Sequence, residues 1–470
     1  MAATGKPHLY YFAGGVGRAE CTRLVFHAGG VKFDETGYDM GKWSSIQADA
    51  ASPPGMMFGT IPSMPCLFHG DSVKLAFNTA TLEYAAELGL RPKMKANAVQ
   101  KSIDVMVAAA VRDMHEWMYP AAFALSEKVK AKLMEALPGQ LQPTLDGLEL
   151  LCSRYAGPFM YSKTGPGMAD LAVFDVVTSP MPGLLQLNVS LAPYPRLQAC
   201  VQAVQESKGY PSLVQHMENR IALGIPSFSV DARIDTSSGA ELPDTTDKPL
   251  ELIYFDGVGR GQLMRYLLMA GNLKFKDTRL KKAEWQQMKQ DSSSAPGKLF
   301  RQLPVLVHGD HIVGQSFAVA SYIADIGINK VSPPLPHERA MDFCVHAAVE
   351  AIRKELYKVQ FAPEGKGRQA AAKACAVEIR PFLEGLERLY GVVPHTPFLY
   401  RMQDMGPSLG DIALLDVLFS EYPGIVRLGV ADPSMYTRVL YACHCVSLGE
   451  AYPVLAEQLK EDLAAFGKQT

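Results

Sequence analysis

An unbroken apolar and aromatic run, residues 252–255, leads into a glycine-containing turn at residues 256–260. The residues after the turn carry apolar side chains at helical spacing: Leu263, Tyr266 and Leu267. This spacing stops at Gly271 and Asn272, which suit a helix end. The pattern predicts a strand, a turn and a helix. Tyr254, at the tip of the strand, would present its hydroxyl to the start of the helix, where unpaired backbone N–H groups favour an anion.

The same change of pattern occurs twice along the chain. About the first eighty residues of each stretch alternate strand-like runs, such as Val305 to Val307, with helical ones, and the remainder has only helical periodicity. Apolar residues at helical spacing from Arg339 to Phe361 predict one long helix. Ser408 and Asp411 form an N-terminal capping pattern for a further helix, whereas Gly167 lacks the corresponding hydroxyl.

An internal repeat explains this recurrence. Two segments of the first half recur in the second about 240 residues later, in the same order. The segments are Pro65-Cys-Leu-Phe-His-Gly-Asp71 with Pro304-Val-Leu-Val-His-Gly-Asp310, and Asp170-Leu-Ala-Val-Phe-Asp-Val176 with Asp411-Ile-Ala-Leu-Leu-Asp-Val417. Residues 224–248, between the two copies, are rich in Ser, Thr, Asp and Pro and predict a linker. The chain is therefore interpreted as two copies of one unit.

Composition restricts the class of protein. Hydrophobic residues make up 48% of the chain, which is ordinary for a globular protein. The 46 Lys and Arg nearly balance the 48 Asp and Glu, which argues against broad nucleic-acid or membrane-surface binding. The N-terminus has no apolar segment of signal-peptide length, and no apolar run approaches a membrane span. The eight cysteines include no C-x-x-C pair, and the close cluster Cys443-His444-Cys445 lacks zinc-site spacing, so we expect no metal. A cytoplasmic protein is the default expectation.

The second copy carries a set of aromatic, cationic and amide side chains in a fixed order. The candidate residues are Tyr254, Arg260, Trp285, Lys289, Gln302, Leu303, Pro304, Gln315 and Ser316. A Tyr-Phe and Gly-Arg opening, a tryptophan, a hydrophobic-Pro strand and a Gln-Ser helix start, followed by helices, resemble the cytosolic glutathione transferases, closest to the sigma class. The resemblance occurs in both copies, which together cover nearly the whole chain.

The resemblance implies an α/β plus all-α fold, repeated twice. Each copy would have a thioredoxin-like N-terminal domain that binds glutathione and an all-helical C-terminal domain that supplies the electrophile pocket. We expect domains at residues 6–90 and 95–223, a linker at 224–248, and domains at 249–328 and 335–470. Two such units joined in one chain would form a pseudo-dimer, because members of the family are typically twofold dimers.

The family assigns a role to each candidate residue. Tyr254 takes the place of the catalytic tyrosine, and Arg260 that of the arginine in the Gly-Arg pair. Trp285 and Lys289 would lie near the glycine carboxylate of glutathione. Leu303 and a cis Pro304 would bond its cysteinyl backbone, and Gln315 with Ser316 would hold the γ-glutamyl carboxylate. Val349, Arg353 and Tyr357 would shape the acceptor pocket.

Elementary chemistry supports these roles. A thiol with a pKa near 8.5 is mostly protonated at neutral pH, and a tyrosine hydroxyl that bonds to the thiolate stabilises the charged form. Each unit of pKa depression needs about 1.4 kcal/mol, which is within reach of one or two charge-assisted hydrogen bonds. Lys289 offers a charge to one carboxylate, and Ser316 offers a hydroxyl and a helix start to the other.

The first copy keeps only part of the pattern. Its weaker equivalents are Tyr11, Arg18, Trp43, Met64, Pro65 and Asn78. Gln47 stands where Lys289 does, and Phe77 stands where Gln315 does, so two polar ligands are lost. The path from Tyr11 to Arg18 is one residue longer than its counterpart, which predicts a displaced hydroxyl. The first site is therefore expected to be degraded or weak.

A further departure concerns the contact between the copies. In the family an aspartate often reaches the glutathione of the neighbouring subunit, four residues after another aspartate. From Asp104 and Asp342 that position holds Ala108 and His346, so neither copy is expected to make this contact.

Glutathione transfer to small apolar electrophiles is the leading interpretation. A glutathione-dependent peroxidase, or an isomerase similar to the prostaglandin D synthases, would use the same thiolate. A non-catalytic binding or structural protein of the same family is the alternative from another class. The identity of the electrophile stays open, because an apolar pocket has no legible sequence code.

Overall fold

The computed structural model describes residues 4–49, 51–58, 64–222, 228, 235–237, 239–331, 333–391, 396–401, 403–420, 424–448 and 451–467. We call residues 4–222 the first half and residues 249–467 the second half. Within the described residues the strands are β1 His8–Phe12, β2 Asp34–Tyr38, β3 Cys66–His69, β4 Val73–Ala76, β5 Leu250–Phe255, β6 Phe275–Leu280, β7 Val305–His308 and β8 His311–Gly314.

Helices make up most of the remaining described residues. Those of the first half are α1 Glu20–Gly29, α2 Trp43–Ala48, α3 Pro53–Phe58, α4 Asn78–Ala85, α5 Arg91–Met94, α6 Ala98–Phe123, α7 Glu127–Arg154, α8 Met168–Thr178, α9 Pro195–Gln205 and α10 Pro211–Ala222. Those of the second half are α11 Gly259–Ala270, α12 Lys282–Gln290, α13 Ala295–Lys298, α14 Ser316–Ile326, α15 Ile328–Val331, α16 Pro336–Gln360, α17 Lys366–Leu389, α18 Leu409–Phe419, α19 Ile425–Leu428, α20 Thr437–Leu448 and α21 Pro453–Gly467.

Each half contains a four-stranded mixed sheet, and the two sheets have the same strand order. The orders are β2-β1-β3-β4 and β6-β5-β7-β8. In each sheet the first strand runs parallel to the second and antiparallel to the third, and the third runs antiparallel to the fourth. Helices fill the rest of each half, with α6, α7 and α8 packed together in the first and α16, α17 and α18 in the second.

The predicted elements are present, with small shifts at their ends. The predicted strand at 252–255 extends back to Leu250, and the helix after it ends at Ala270, before Gly271 as expected. The long helix predicted from Arg339 to Phe361 spans Pro336 to Gln360. At the start of α18, the Ser408 backbone N–H donates to Asp411 Oδ2 at 2.8 Å, and the Asp411 N–H faces Ser408 Oγ at 3.4 Å. The predicted capping pattern is therefore formed.

The predicted linker lies only partly within the described residues, and its later part is not free. The Gly157 N–H donates to the Thr236 carbonyl at 2.7 Å, and the Ala240 N–H donates to the Arg154 carbonyl at 2.9 Å. A parallel bridge joins Tyr155 to Ala240. Backbone pairing thus ties this part of the segment to the first half, because extended residues satisfy their N–H and C=O groups on a neighbouring chain.

The two halves pack on each other through reciprocal helix pairs. Helix α6 of the first half lies against α14 of the second, and α16 of the second lies against α4 of the first. Ser102 Oγ is 2.7 Å from His311 Nε2, and Arg339 Nε donates to Glu83 Oε1 at 2.5 Å. The main cluster of buried apolar residues includes residues from both halves. No helix in the described part of the chain carries an apolar stretch long enough to cross a membrane.

Candidate functional site

Tyr254 lies where β5 meets α11, and its hydroxyl is held by the helix backbone. The Arg260 N–H donates to Tyr254 Oη at 3.1 Å. A Cβ at Gly261 would lie 2.4 Å from the Tyr254 ring, so only glycine lets the helix pass this close to the tyrosine. Burial raises the pKa of Tyr254, and the Arg260 N–H opposes that rise. A hydroxyl that accepts from a backbone N–H keeps its own proton for a second partner.

Strand register brings the other predicted residues to the same edge of the sheet. Ile253 pairs with Val305 on β7, and Val305 pairs with Gly314 on β8. Because antiparallel partners move in opposite directions along the chain, the next positions set Pro304 beside both Tyr254 and Gln315. The peptide bond between Leu303 and Pro304 is cis.

Gln315 occupies an unusual backbone conformation at the start of α14. Its φ is 67°, and its Nε2 donates to Gln302 Oε1 at 3.0 Å. Ser316 is the first residue of α14. Helix α14 therefore begins with an amide and a hydroxyl next to unpaired backbone N–H groups, an arrangement that suits a carboxylate.

Trp285 and Lys289 are one turn apart on α12. Trp285 is buried and packs edge-on against Phe255, with ring centroids 5.9 Å apart. Lys289 is half-buried and forms no ion pair with a carboxylate among the described residues. Its ammonium is therefore a free charge for an anionic ligand.

A glutamate that the sequence analysis did not identify anchors Arg260. Arg260 Nε donates to Glu350 Oε2 at 2.7 Å, and the guanidinium lies 5.7 Å from the centre of the Tyr357 ring. Burial works to raise the pKa of Glu350, but the charges of Arg260 and Arg353 outweigh it and lower that pKa to about 2. Glu350 is thus a fixed carboxylate. Nothing in the composition of α16 distinguishes it from a solvated helix glutamate.

Of the three side chains predicted for the acceptor-pocket wall, only that of Tyr357 reaches the surface. Tyr357 is partly exposed and stacks on the exposed Phe361, with ring centroids 5.9 Å apart. Val349 and Arg353 have no exposed surface. They face the packed interior of the helical layer, where Arg353 bonds to Asp416 of α18.

In the first half the tyrosine hydroxyl is not displaced. The Arg18 N–H donates to Tyr11 Oη at 3.0 Å, which matches the second half. The expected displacement is wrong because the extra residue is absorbed in the turn before the helix. Gly14 adopts a φ of 66° there, and a Cβ on it would meet no atom within 4 Å. Burial raises the pKa of Tyr11, and the Arg18 N–H opposes that rise.

The neighbouring positions of the first half are occupied differently. Phe77 has a φ of 71°, the same unusual conformation as Gln315, but its ring stacks on Phe382 of the second half at 6.4 Å. Asn78 Nδ2 donates to the Arg18 carbonyl, so its amide bonds to the protein backbone. Trp43 packs edge-on against Phe12 at 5.0 Å, and the Met64–Pro65 bond is cis.

Helix α6 supplies an acidic contact between the halves that was not expected. Asp113 hydrogen-bonds Gln315; burial raises the pKa of Asp113, while Arg112 and that bond oppose the rise. At about 100° per residue, nine residues put Asp113 on the opposite side of α6 from Asp104, the side that faces α14. Four residues after Asp342, His346 is buried and stacks on Phe317 at 4.0 Å.

Part of the chain is similar to known proteins of one family. Residues 250–325 match the family model described as the N-terminal domain of glutathione S-transferase. Hematopoietic prostaglandin D synthase of Gallus gallus is 35% identical over 74 residues, which are 16% of this chain and 34% of that protein. Glutathione S-transferase S1 of Drosophila melanogaster is 27% identical over 170 residues, 36% of this chain and 61% of that protein.

The matched stretches span less than two thirds of either relative. Among solved structures, the glutathione S-transferase from Ascaris lumbricoides has a TM-score of 0.38 at 21% identity, covering 46% of this chain and 97% of that one. The sequence matches support the glutathione transferase family, with its thioredoxin-like N-terminal domain at 250–325 followed by helices.

Proposed function

We propose that this chain, which carries an N-terminal domain of the glutathione transferase family, conjugates glutathione to small apolar electrophiles at Tyr254. The observation that carries the proposal is the Tyr254 hydroxyl, fixed by the Arg260 N–H at 3.1 Å at the start of α11. That hydroxyl accepts one hydrogen bond and has its own proton to donate. A thiolate is the partner that gains most from such a donor.

The residues around Tyr254 fit the rest of a glutathione molecule. Lys289 provides a positive charge for one carboxylate, and the Gln315–Ser316 start of α14 receives the other. Leu303, beside the cis Pro304, offers backbone groups to the central residue of the tripeptide. Trp285 and Gln302 complete the wall. Binding at both ends holds the sulfur at Tyr254, so that the thiolate meets the electrophile in one orientation.

The reaction is a nucleophilic attack. The glutathione thiol loses its proton to solvent water, and its sulfur bonds to an electrophilic carbon. The electron pair of the broken bond leaves with the displaced group, or stays on the acceptor, which then takes a proton from water. Tyr254 donates a hydrogen bond to the sulfur while it carries the charge. The electrophile would approach along the Tyr357 and Phe361 rings, which are exposed beside Arg260.

The first half has a weaker version of the site. Its hydroxyl geometry is intact, but a phenylalanine pair replaces the amide that would receive a carboxylate, and Gln47 replaces the lysine. Loss of two polar contacts at about 1–2 kcal/mol each lowers the affinity for glutathione by about one to three orders of magnitude. The first half would then serve mainly as the packing partner of the second.

The finer features belong to the same proposal: two sigma-like units fused in one chain, a pseudo-dimer within that chain, and a cytoplasmic location. The identical strand orders and the reciprocal helix pairs support the first two. An isomerase is the second candidate, because the Gallus gallus relative is named a prostaglandin D synthase. A peroxidase would use the same thiolate, and a panel of haloarene, peroxide and enal substrates separates the three.

Two matched substitutions test the proposal. Tyr254→Phe should lower the rate of thiol conjugation at neutral pH by about tenfold or more, while the protein still binds to immobilised glutathione. Tyr11→Phe, which removes the corresponding hydroxyl in the first half, should change the rate little. Full activity in Tyr254→Phe would refute the assignment. Retention on glutathione without activity in the unmodified protein would indicate a non-catalytic binding protein.

A further inference from the structure

A buried ion pair lies behind the candidate site and has no part in the chemistry described so far. Arg353 of α16 donates from Nη2 to Asp416 Oδ2 of α18 at 2.6 Å. Arg353 has no exposed surface, and Asp416 is 1% exposed. Charges removed from water act over longer distances than charges on the surface, because few solvent dipoles screen them.

This pair is connected to Tyr254 through one glutamate. Glu350 accepts from Arg260 at its Oε2, and its Oε1 lies 3.4 Å from Arg353 Nε. Charges of alternating sign therefore run from Asp416 through Arg353 and Glu350 to Arg260. The row ends at the residue whose backbone N–H holds the Tyr254 hydroxyl.

Arg353 lies between two carboxylates, but only one of its three nitrogens forms a hydrogen bond within this row. Its Nε and Nη1 have no hydrogen-bond acceptor among the described residues, although both atoms are buried. Its charge lowers the pKa of Tyr254, after the larger effects of burial, which raises that pKa, and of Arg260, which lowers it. Arg353 lies on the same face of α16 as Glu350 and Tyr357, and its charge thus acts on the Tyr254 hydroxyl without contact.

The other ionisable groups around the pair are few. On α11, Tyr266 donates to Asp462 of α21 at 2.6 Å, and burial together with the Asp416 charge raises the pKa of Tyr266. On α16, burial lowers the pKa of His346 to about 4 and raises that of Tyr357 to about 12. At neutral pH His346, Tyr266 and Tyr357 are therefore uncharged.

The remaining charged groups set the local balance. Burial raises the pKa of Asp416, and the Arg353 charge opposes that rise. The charges that act on the Tyr254 hydroxyl are those of Arg260, Arg353 and Glu350. Arg112 and Asp113 of α6 face the same cluster, since the Arg112 charge acts on His346 and the Arg260 charge acts on Asp113.

The first half lacks this row. Asp175 occupies the place of Asp416 in the repeated segment, and His115 stands where Arg353 does, four residues before the tyrosine that matches Tyr357. The cation near Asp175 is Arg220 of α10, at 4.0 Å. Burial raises the pKa of Asp175 to about 7. The half with the intact polar ligands is thus also the half with the direct ion pair.

We propose that Arg353 and Asp416 are positioning residues that set the ionisation of the thiol bound at Tyr254, Arg353 favouring the thiolate and Asp416 limiting that effect. This inference rests on the proposed glutathione transfer. It makes a prediction that a merely structural ion pair does not make. Removal of the Arg353 charge and removal of the Asp416 charge should shift the pKa of the bound thiol in opposite directions, because the two charges have opposite signs.

The test measures the ionisation midpoint of enzyme-bound glutathione, from the ultraviolet absorbance of the thiolate and from the pH profile of kcat/KM. Arg353→Met should raise the midpoint by about 0.5–1 pH unit, and the isosteric Asp416→Asn should lower it by a similar amount. Arg353→Lys, which keeps the charge, should stay close to the unmodified protein. Asp175→Asn is the matched control in the first half and should leave the midpoint unchanged.

Two results would overturn the inference: shifts of the same sign in both variants, or no shift in Asp416→Asn while the unmodified protein binds glutathione with a lowered midpoint. Should Arg353→Met fail to fold, the sign of the Asp416→Asn shift decides alone. Failure of the proposed function is distinguishable, because the unmodified protein would then neither bind glutathione nor respond to Tyr254→Phe.

Discussion

Lys289 is the residue whose charge most clearly separates the two candidate sites. It is half-buried on α12 and has no carboxylate partner among the described residues, whereas the corresponding Gln47 is buried and uncharged. A lysine in this situation loses little when a ligand arrives, because it has no existing ion pair to break. Its contribution should therefore appear in binding rather than in the chemical step.

Lys289→Met should raise the glutathione concentration for half-saturation by about three- to tenfold with kcat nearly unchanged, since a partly exposed charge pair contributes roughly 1 kcal/mol. Steady-state kinetics over a range of glutathione concentrations measures both. Gln47→Met is the matched control and should have no effect. Gln47→Lys should strengthen glutathione binding in the first half only slightly, because Phe77 still replaces the amide. Calorimetry that finds two equal, tight glutathione sites per chain would contradict this difference.

At the scale of elements, the starts of α8 and α18 show how packing overrides local preference. In each helix an aspartate accepts a hydrogen bond from the N–H of the residue that precedes the helix, from Gly167 to Asp170 and from Ser408 to Asp411, both at 2.8 Å. Serine is a better first residue than glycine in general. A Cβ at Gly167, however, would lie 2.1 Å from the Tyr161 hydroxyl, which is bonded to Asp104 at 2.7 Å.

Gly167→Ser should therefore destabilise the protein by about 1–3 kcal/mol, although it restores the better capping residue, because the new side chain must displace a buried hydroxyl. Ser408→Ala should cost about 1–2 kcal/mol, because it removes the cap and the hydrogen bond between the Ser408 hydroxyl and the buried Asp342. Denaturant unfolding measures both changes. A stabilising effect of Gly167→Ser would show that Tyr161 can move at little cost.

How far sequence reasoning reached differs between elements and contacts. Strands and helices follow from local periodicity, whereas the grouping of Tyr254, Pro304 and Gln315 was implied by the resemblance to the glutathione transferases. Glu350 and Asp113 could not be found in this way, since their roles depend on which face of a long helix meets another helix. The tyrosine hydroxyl of the first half was misjudged for a related reason. A turn with a left-handed glycine absorbs an added residue without moving its ends.

At the scale of the whole molecule, the two halves meet through contacts that the chain makes with itself. The helix pairs α6 with α14 and α16 with α4 use corresponding surfaces, and Thr236 and Ala240 are already bound to the first half. A short tether raises the effective concentration of one half near the other to about the millimolar range. Pairing within the chain should then precede pairing between chains.

The protein should accordingly behave in solution as a monomer of 51.2 kDa. Light scattering coupled to size-exclusion chromatography, over a range of concentrations, measures this mass. A stable species of twice that mass which loses activity when it dissociates would show that the halves pair between chains instead.

Acid should weaken the contact between the halves at His311. Burial lowers the pKa of His311 to about 3, well below its ordinary value of 6.5. Because the unfolded chain binds this proton more readily, stability present above pH 6.5 is lost as the pH falls toward 3. At pH 5 the loss is on the order of 2 kcal/mol.

His311→Gln, which keeps a polar partner for Ser102, should reduce the difference in unfolding free energy between pH 7 and pH 5 by about that amount. Urea titrations at the two pH values measure the difference. His308→Gln is a comparison on the same hairpin, where His308 bonds to Tyr322 within its own half at 2.8 Å. Burial lowers the pKa of His308 too, but less than that of His311, so this variant should reduce the pH dependence by a smaller amount. An unchanged pH dependence in His311→Gln would exclude this histidine as the source of acid sensitivity.

The stack of Phe77 on Phe382 has a consequence for how the two halves can evolve. In a symmetric dimer of two identical chains, every substitution occurs in both subunits. A substitution that replaces a ligand-binding residue by a packing residue would therefore remove the ligand contact from both sites. Here Phe77 and Gln315 occupy corresponding places and are encoded separately. One half can exchange an amide for a ring that binds its neighbour, while the other keeps the amide. A molecule built in this way can change its framework and its binding site by independent mutations.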